Sequence, residues 1–159
     1  MRYIIFFTIL IQTFLNAEEL QIKANSFYAD EKAGLSVFEG SVNILKGYDE
    51  LNASKVTVYI DKEKTPTKFI AEGDVSFKVK TKDDVKYEGI AQKAIYLPGK
   101  KEYNFYKNVH LKQLGDKKEI QGDEVVLNIS DNKAYAKGAE KEPVIMIFEF
   151  KEEKKEEEK

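Results

Sequence analysis

The chain has 159 residues, with 26 Lys+Arg against 28 Asp+Glu for a net charge of −2, and no cysteine. Disulfides, thiol nucleophiles and Cys-ligated metals are excluded, and there is no basic excess to hold a nucleic acid. A single histidine, His110, gives a Ser-His-Asp triad only one possible base and leaves a zinc site short of ligands.

The N-terminus has the physics of an export leader. Arg2 supplies the positive n-region and Ile4–Leu15 an apolar run broken only by Thr8, Gln12 and Thr13. That run is shorter than the ~20 residues a bilayer span needs. Ala17 offers a small residue at a cleavage point, so residues 1–17 are expected to be a leader and 18–150 the folded domain. The leader also contains the only arginine, which leaves lysine as the domain's strong base.

Leu20 to Ala29, with Ile22 and Phe27 among its apolar residues, reads as a first strand. Strict alternation then takes over. Phe38-x-Gly40-x-Val42-x-Ile44 is followed by Val56-x-Val58-x-Ile60 and by Phe69-x-Ala71-x-Gly73-x-Val75-x-Phe77-x-Val79. Tyr96 falls in the segment Ala91-Gln-Lys-Ala-Ile-Tyr-Leu97, and Phe105-x-Lys107-x-Val109-x-Leu111 and Val125-x-Leu127-x-Ile129 complete the series. Period-two patterns rich in Val, Ile, Phe and Tyr are half-buried antiparallel strands. Turn residues separate them, as at Lys46-Gly47-Tyr48-Asp49, Pro98-Gly99-Lys100 and Gly115-Asp116-Lys117, and nine or ten strands result. Val144 to Phe150 reads as a last strand, and 151–159 is a Lys/Glu run with nothing to bury, expected as a tail without a fixed fold. His110 lies between Val109 and Leu111, on the polar face. The pairs Asp83-Asp84 and Asp123-Glu124 sit at a turn or a strand start, and no P-loop or dinucleotide fingerprint occurs. The sequence therefore calls for no enzyme, no metal and no cofactor.

A motif recurs along this pattern. Ala-x-x-apolar-x-apolar opens each copy and an aromatic with Gly-(Ser/Asp)-Val closes it: Ala24 to Ile44, Ala53 to Phe77, Ala91 to Leu111 with Lys107-Asn108-Val109 in place of Gly-x-Val, and a worn copy from Gly122 to Gly138. The starts are 29, 38 and 31 residues apart, a spacing of stacked hairpins rather than of one compact enzyme core. Glycine at the same point of two copies predicts a regular bend that lysine at 107 can also adopt.

The repeated Ala-x-x-apolar-x-apolar and Gly-x-Val pattern behind a leader resembles the LptA (OstA-like) family of periplasmic lipopolysaccharide transport proteins, over about Leu20 to Phe150. The resemblance implies an all-β jellyroll of two antiparallel sheets, V-shaped and open at both ends. Its apolar interior would carry lipid A acyl chains. Its edge strands would join domains head to tail, with an LptC-like membrane-anchored partner at one end, an LptD-like outer-membrane partner at the other, and homo-oligomers by the same contact. On that basis the groove residues are Ile22, Phe27, Phe38, Val42, Ile44, Val56, Val58, Phe69, Val75, Phe77, Val79, Tyr96, Phe105, Val109, Leu111, Val125, Leu127 and Ile129. The partner edges are Leu20, Ile22, Val144, Met146 and Phe148. On the residues alone, the plainer reading of the same stripe is the dry core of a closed sandwich, which would make the chain a structural adaptor. The membrane-anchored LptC-type component is a further alternative.

Overall fold

The computed structural model describes residues 19–149. The expected leader at 1–17, Glu18, Phe150 and the expected tail at 151–159 lie outside the described residues. Ten strands follow in order: β1 (Leu20–Lys23), β2 (Ser26–Asp30), β3 (Leu35–Lys46), β4 (Asp49–Ile60), β5 (Pro66–Lys80), β6 (Lys86–Leu97), β7 (Glu102–Gln113), β8 (Lys118–Asn128), β9 (Lys133–Lys137) and β10 (Ile145–Phe148). Every pairing is antiparallel: β2 to β9 pair in sequence order as an up-and-down meander, while β1 pairs β3 and β10 pairs β8, and a single 3-10 turn, Pro98–Lys100, is the only helical piece among the described residues.

Each long strand serves two sheets. The register slips between Glu39 and Val42 on β3, Glu72 and Val75 on β5, and Tyr106 and Val109 on β7. These slips line up across the sheet as a crease that folds it into two facing arms. The first arm runs β1-β3-β4-β5-β6-β7-β8-β10. The second uses the other halves of the long strands and is edged by β2 and β9. No ladder joins β1 to β10 or β2 to β9, so both ends stay open.

The crease explains the repeat. On β3, β5 and β7 two consecutive residues turn left-handed: Gly40 and Ser41 (φ 81° and 46°), Gly73 and Asp74 (82° and 46°), and Lys107 and Asn108 (62° and 51°). Opposite them, one residue is left over on each even strand: Ser54 after Ala53, Gln92 after Ala91, and Asp123 after Gly122. The small residue of each pair lies where the arms meet, and Ala53 and Ala91 are buried. A Cβ on Gly73 would fall 2.8 Å from the Ser54 side chain, so the strands can cross only if that position is bare. At Ala24-Asn25 the chain itself steps between arms. The Asn25 N–H donates to the carbonyls of Glu39 (3.1 Å) and Gly40 (2.9 Å).

This step corrects the expected first strand. Leu20 to Ala29 is not one strand but two, β1 in the first arm and β2 in the second, because Asn25 spends its N–H on the crease rather than on a continuous ladder. The last described strand begins at Ile145, so Val144 precedes it, in the connection that follows the Ala139–Glu142 bridge.

Alternation places the inward side chains as expected. One rung of the first arm runs Ile22, Ile44, Leu51, Phe77, Gly89, Leu111, Ile120 and Met146. Gly89 lets the Phe77 ring lie across the sheet, since a Cβ there would be 2.7 Å from that ring. The ring stacks on Phe105 of the second arm, with centroids 3.8 Å apart. Phe105, Leu111, Val42, Val56, Val75, Val79, Val109 and Val125 are fully buried, each worth roughly 1.5–3 kcal/mol of transfer free energy.

The left-handed backbone at Lys107 costs about 1–2 kcal/mol that glycine avoids, against a smaller entropic cost of glycine in the unfolded chain. Lys107→Gly is therefore expected to raise the unfolding free energy by about 0.5–1 kcal/mol in urea titrations, whereas Gly73→Ala should lower it by about 2 kcal/mol or more. A loss of stability in Lys107→Gly would contradict the crease as the source of the repeat.

Candidate functional site

Between the arms, toward the rim opposite the crease, lies a cavity of about 280 Å³. Leu20, Ile44, Leu51, Phe77 and Val79 line it from the first arm, and Pro66, Phe69, Tyr96, Pro98 and Tyr103 from the second. Lys46, Asp49, Glu50 and Thr65 are its polar members, set at the hairpin ends. The walls are thus apolar and the polar groups sit at the mouth.

Of the residues expected from sequence, the structure brings Ile44, Phe69, Phe77, Val79 and Tyr96 into this cavity, together with Leu20, which was expected only as an edge residue. Val42, Val56, Val58, Val75, Phe105, Val109, Leu111, Val125 and Leu127 lie in the packed core between the arms. Ile22, Phe38 and Ile129 are half-buried against that core. Phe27 stands apart on edge strand β2, 62% exposed, with its ring 5.0 Å from Phe38. Sequence reasoning missed Leu51, Pro66, Pro98, Tyr103 and the polar mouth. Leu51-x-Ala53 and Tyr103-x-Phe105 extend the same alternation two residues toward the start of their strands, so those two were open to detection. Pro66 and Lys46 are placed by turn geometry that alternation does not encode.

The two walls are tied across the cavity. The Tyr103 hydroxyl donates to Asp49 Oδ2 at 3.0 Å, while Asp49 Oδ1 accepts the Lys80 N–H at 2.9 Å. Tyr103 stacks on Tyr96 at 4.3 Å, and Tyr96 meets Phe69 at 6.0 Å. Burial, and then the neighbouring Asp49 charge, push the Tyr103 phenol well above its ordinary pKa, and the same two causes raise Tyr96. Tyr103 is thereby held as a neutral donor.

His110 projects from the outer face, as its alternation requires, and its Nε2 lies 2.8 Å from Glu119 Oε2. That contact is the main cause of a lowered Glu119 pKa. Lys112 reaches the same carboxylate at 3.6 Å. A second depression, about 370 Å³, lies on this outer face among Glu50, Lys78, Glu88, Ile90, His110 and Lys112. Asn52, Ser76, Phe77 and Gly89 complete its lining, so its walls mix charged, polar and apolar groups. Among the described residues no group of three or more His, Cys, Asp or Glu is placed to hold a metal.

A creased, open antiparallel sheet with an apolar cleft between its arms is the setting in which the comparisons with known proteins are informative. The family described as LptA/(LptD N-terminal domain) LPS transport protein matches residues 21–133. The chain belongs to this family. No curated protein matches the sequence. Among solved structures it is similar to LptH, "the LptA homologous periplasmic component of the conserved lipopolysaccharide transport device from Pseudomonas aeruginosa". The two share 18% identity over 83% of this chain and 96% of that chain, with a TM-score of 0.74, a likeness of fold. The region matched by the LptA/LptD family runs from β1 to the first residue of β9. It therefore contains the whole crease and every cavity-lining residue but Leu20.

For this LptA-family chain, the Tyr103–Asp49 tie gives a prediction. The folded-state pKa of Tyr103 lies above its unfolded value of 10.0, so the stability it contributes is full below pH 10 and is lost as pH rises beyond it. Tyr103→Phe should cost about 1 kcal/mol at pH 8, from the lost hydrogen bond to a carboxylate at the solvated mouth. It should also lose less stability than the wild type between pH 9 and 11 in urea unfolding. Parallel pH profiles for the two proteins would rule the tie out as a stabilising contact.

Proposed function

We propose that this chain is a periplasmic lipopolysaccharide-binding component that takes the acyl chains of lipid A into the cleft between its arms and relays the lipid from the inner toward the outer membrane. The observation that carries this reading is the cleft itself: apolar side chains from both arms face each other without filling the space between them, and the polar groups gather at its mouth. Membership of an LPS transport family supports it. Each acyl methylene moved out of water gains about 0.8 kcal/mol, so binding needs no catalytic group. At about 280 Å³ the cleft is at the small end of ligand sites, and lipid with several chains would require the arms to part further.

The edges suit assembly. β1 and β2 end the two arms on one side, β9 and β10 on the other, and each has one strand neighbour. Tyr28 (60% exposed), Met146 (52%) and Phe148 (46%) carry apolar surface on these edges. Strand addition there would join an LptC-like anchored protein at one end, an LptD-like outer-membrane protein at the other, or further copies of the chain. Such heterologous contacts do not close and so extend into a bridge. Export through a leader removed after Ala17 completes this reading. No covalent chemistry enters it.

One observation favours a second reading. Phe105, Leu111 and Val125 are fully buried, so the part of the inter-arm space formed by β7 and β8 is packed like a sandwich core. A chain closed throughout would act as an adaptor without carrying lipid.

A photo-crosslinking amino acid separates the two. Placed at Phe77 or Phe69, on the cleft walls, it should form lipopolysaccharide adducts in cells. Placed at Lys78 or Ile70, on the opposite faces of the same strand, it should not. Absence of adducts at Phe77 and Phe69 in folded protein would leave the adaptor.

A further inference from the structure

The two arms do not face each other strand for strand. Phe77 of β5 stacks on Phe105 of β7, and Asp49, at the start of β4, accepts the Tyr103 hydroxyl of β7. A third contact keeps the same offset. Asn132, in the turn between β8 and β9, donates through Nδ2 to Asp83 Oδ2, in the turn between β5 and β6. In each case the second-arm partner comes two or three strands later in the chain, as in two sheets whose strands cross at an angle.

Both turns are built to present these side chains. In the β5–β6 turn the Val85 N–H donates to Thr81 Oγ1 (3.2 Å) and the Thr81 N–H to the Val85 carbonyl (2.9 Å). Thr81 is only 5% exposed, although it lies at a hairpin end. In the β8–β9 turn Asn128 Oδ1 accepts the N–H groups of Ser130 (3.0 Å) and Asp131 (2.9 Å). The neighbouring acids are engaged locally, Asp84 with Lys80 at 3.5 Å and Asp131 with Lys133 at 3.6 Å. Asp83 and Asn132 are left to bridge the rim.

The bridge stands where the cleft stops. Val79 and Tyr103 line the cleft, and their cross-strand neighbours on the same inner rows, Tyr87 and Leu127, do not. Asp83 is in the turn that joins the strand of Val79 to that of Tyr87, and Asn132 is in the turn that follows the strand of Leu127. Leu127 is buried, and Tyr87 and Ile129 are half-buried against the core. The inner surface beyond the cleft is therefore apolar like the cleft walls, but closed.

We propose that Asp83 and Asn132 form a clasp that sets how much acyl chain the groove accepts, and that its release extends the cleft along Tyr87, Leu127 and Ile129 into a site for further chains of the same lipid. The clasp rests on the reading of the cleft as a lipid groove and adds to it a selection by chain number. The closed cleft takes a lipid with one chain, and a lipid with several chains fills the groove only when the clasp is open. The bond lies in solvent and holds the arms weakly, so burial of additional methylenes offsets its loss.

The chain has no cysteine, so Asp83→Cys with Asn132→Cys introduces the only two thiols, and neither position lines the cleft. The probes are lipid A and a nonionic single-chain lipid, bound to the exported protein with its thiols joined by a short bis-thiosulfonate bridge and again after reduction. The bridged form should bind the single-chain lipid as the reduced form does and lipid A about tenfold more weakly, with recovery on reduction. A photo-crosslinking residue at Tyr87 should form lipid A adducts in the reduced form alone. Asp83→Ala, which removes the bond and alters no cleft wall, should tighten lipid A binding about threefold and leave the single-chain lipid unchanged. Equal lipid A affinity of the bridged and reduced forms, or an equal loss of both lipids on bridging, would overturn the clasp and leave the groove standing. Binding of neither lipid by the wild type would overturn the groove, and the clasp with it.

Discussion

Everything in this domain depends on how closely two sheets can approach along the crease. Every long strand crosses from one arm to the other there, and the crossing works only because the odd strands turn left-handed for two residues while the even strands carry a small residue. Gly73 and Ser54 are so close that no side chain fits between them. A backbone constraint of this kind is set by sterics, not by a ligand, so it fixes the repeat spacing before any function is considered.

From the crease outward, side-chain size increases. Along β4 the inward residues go from Ala53 to Leu51, along β5 from Ala71 to Phe69 in one direction and from Val75 to Phe77 in the other, and along β6 from Ala94 to Tyr96. Small residues let the arms meet at the fold, and larger ones prop them apart toward the rim. The cleft is thus a wedge whose opening angle is encoded in a gradient of residue volume. Gly89, Phe105 and Val79 depart from this gradient, and the bare Gly89 allows the Phe77 ring to cross the sheet and stack on Phe105, closing the wedge in the middle.

Much of this was legible in the sequence. Period-two alternation marked the inward face of β3, β4, β5, β7 and β8, and the recurring Gly-x-Val marked the bend. What alternation could not distinguish was an inward residue of the core from an inward residue of the cleft. Phe105 and Phe69 each open a period-two run, yet Phe105 is fully buried and Phe69 lines open space. The difference comes from which residues stand on the opposite arm, a relation between distant parts of the chain. The split of the first strand was hidden for a related reason. Asn25 looks like any polar residue in a strand, and only its position opposite Gly40 makes it a corner. Lys107 shows the converse, since nothing in the residue type announces a left-handed backbone, and only the register of the repeat does.

The uneven filling of the wedge bears on how such a domain can be stable and receptive together. A cleft that was apolar and open along its whole length would leave the fold without a dry core, and the cost of ordering the chain would go unmet. Here the β7–β8 region packs Phe105, Leu111, Val125 and Leu127 tightly, while the side nearest β1 keeps its apolar residues apart. The packed part anchors the crease, and the open part exposes apolar surface at the mouth beside Lys46 and Asp49. Between them stands the tie from Tyr103 to Asp49, which joins the arms through one hydrogen bond at a solvated rim. That contact contributes about 1 kcal/mol, far less than the packed side chains beside the crease. The fold therefore places its dry core beside the crease and its open apolar surface toward the rim.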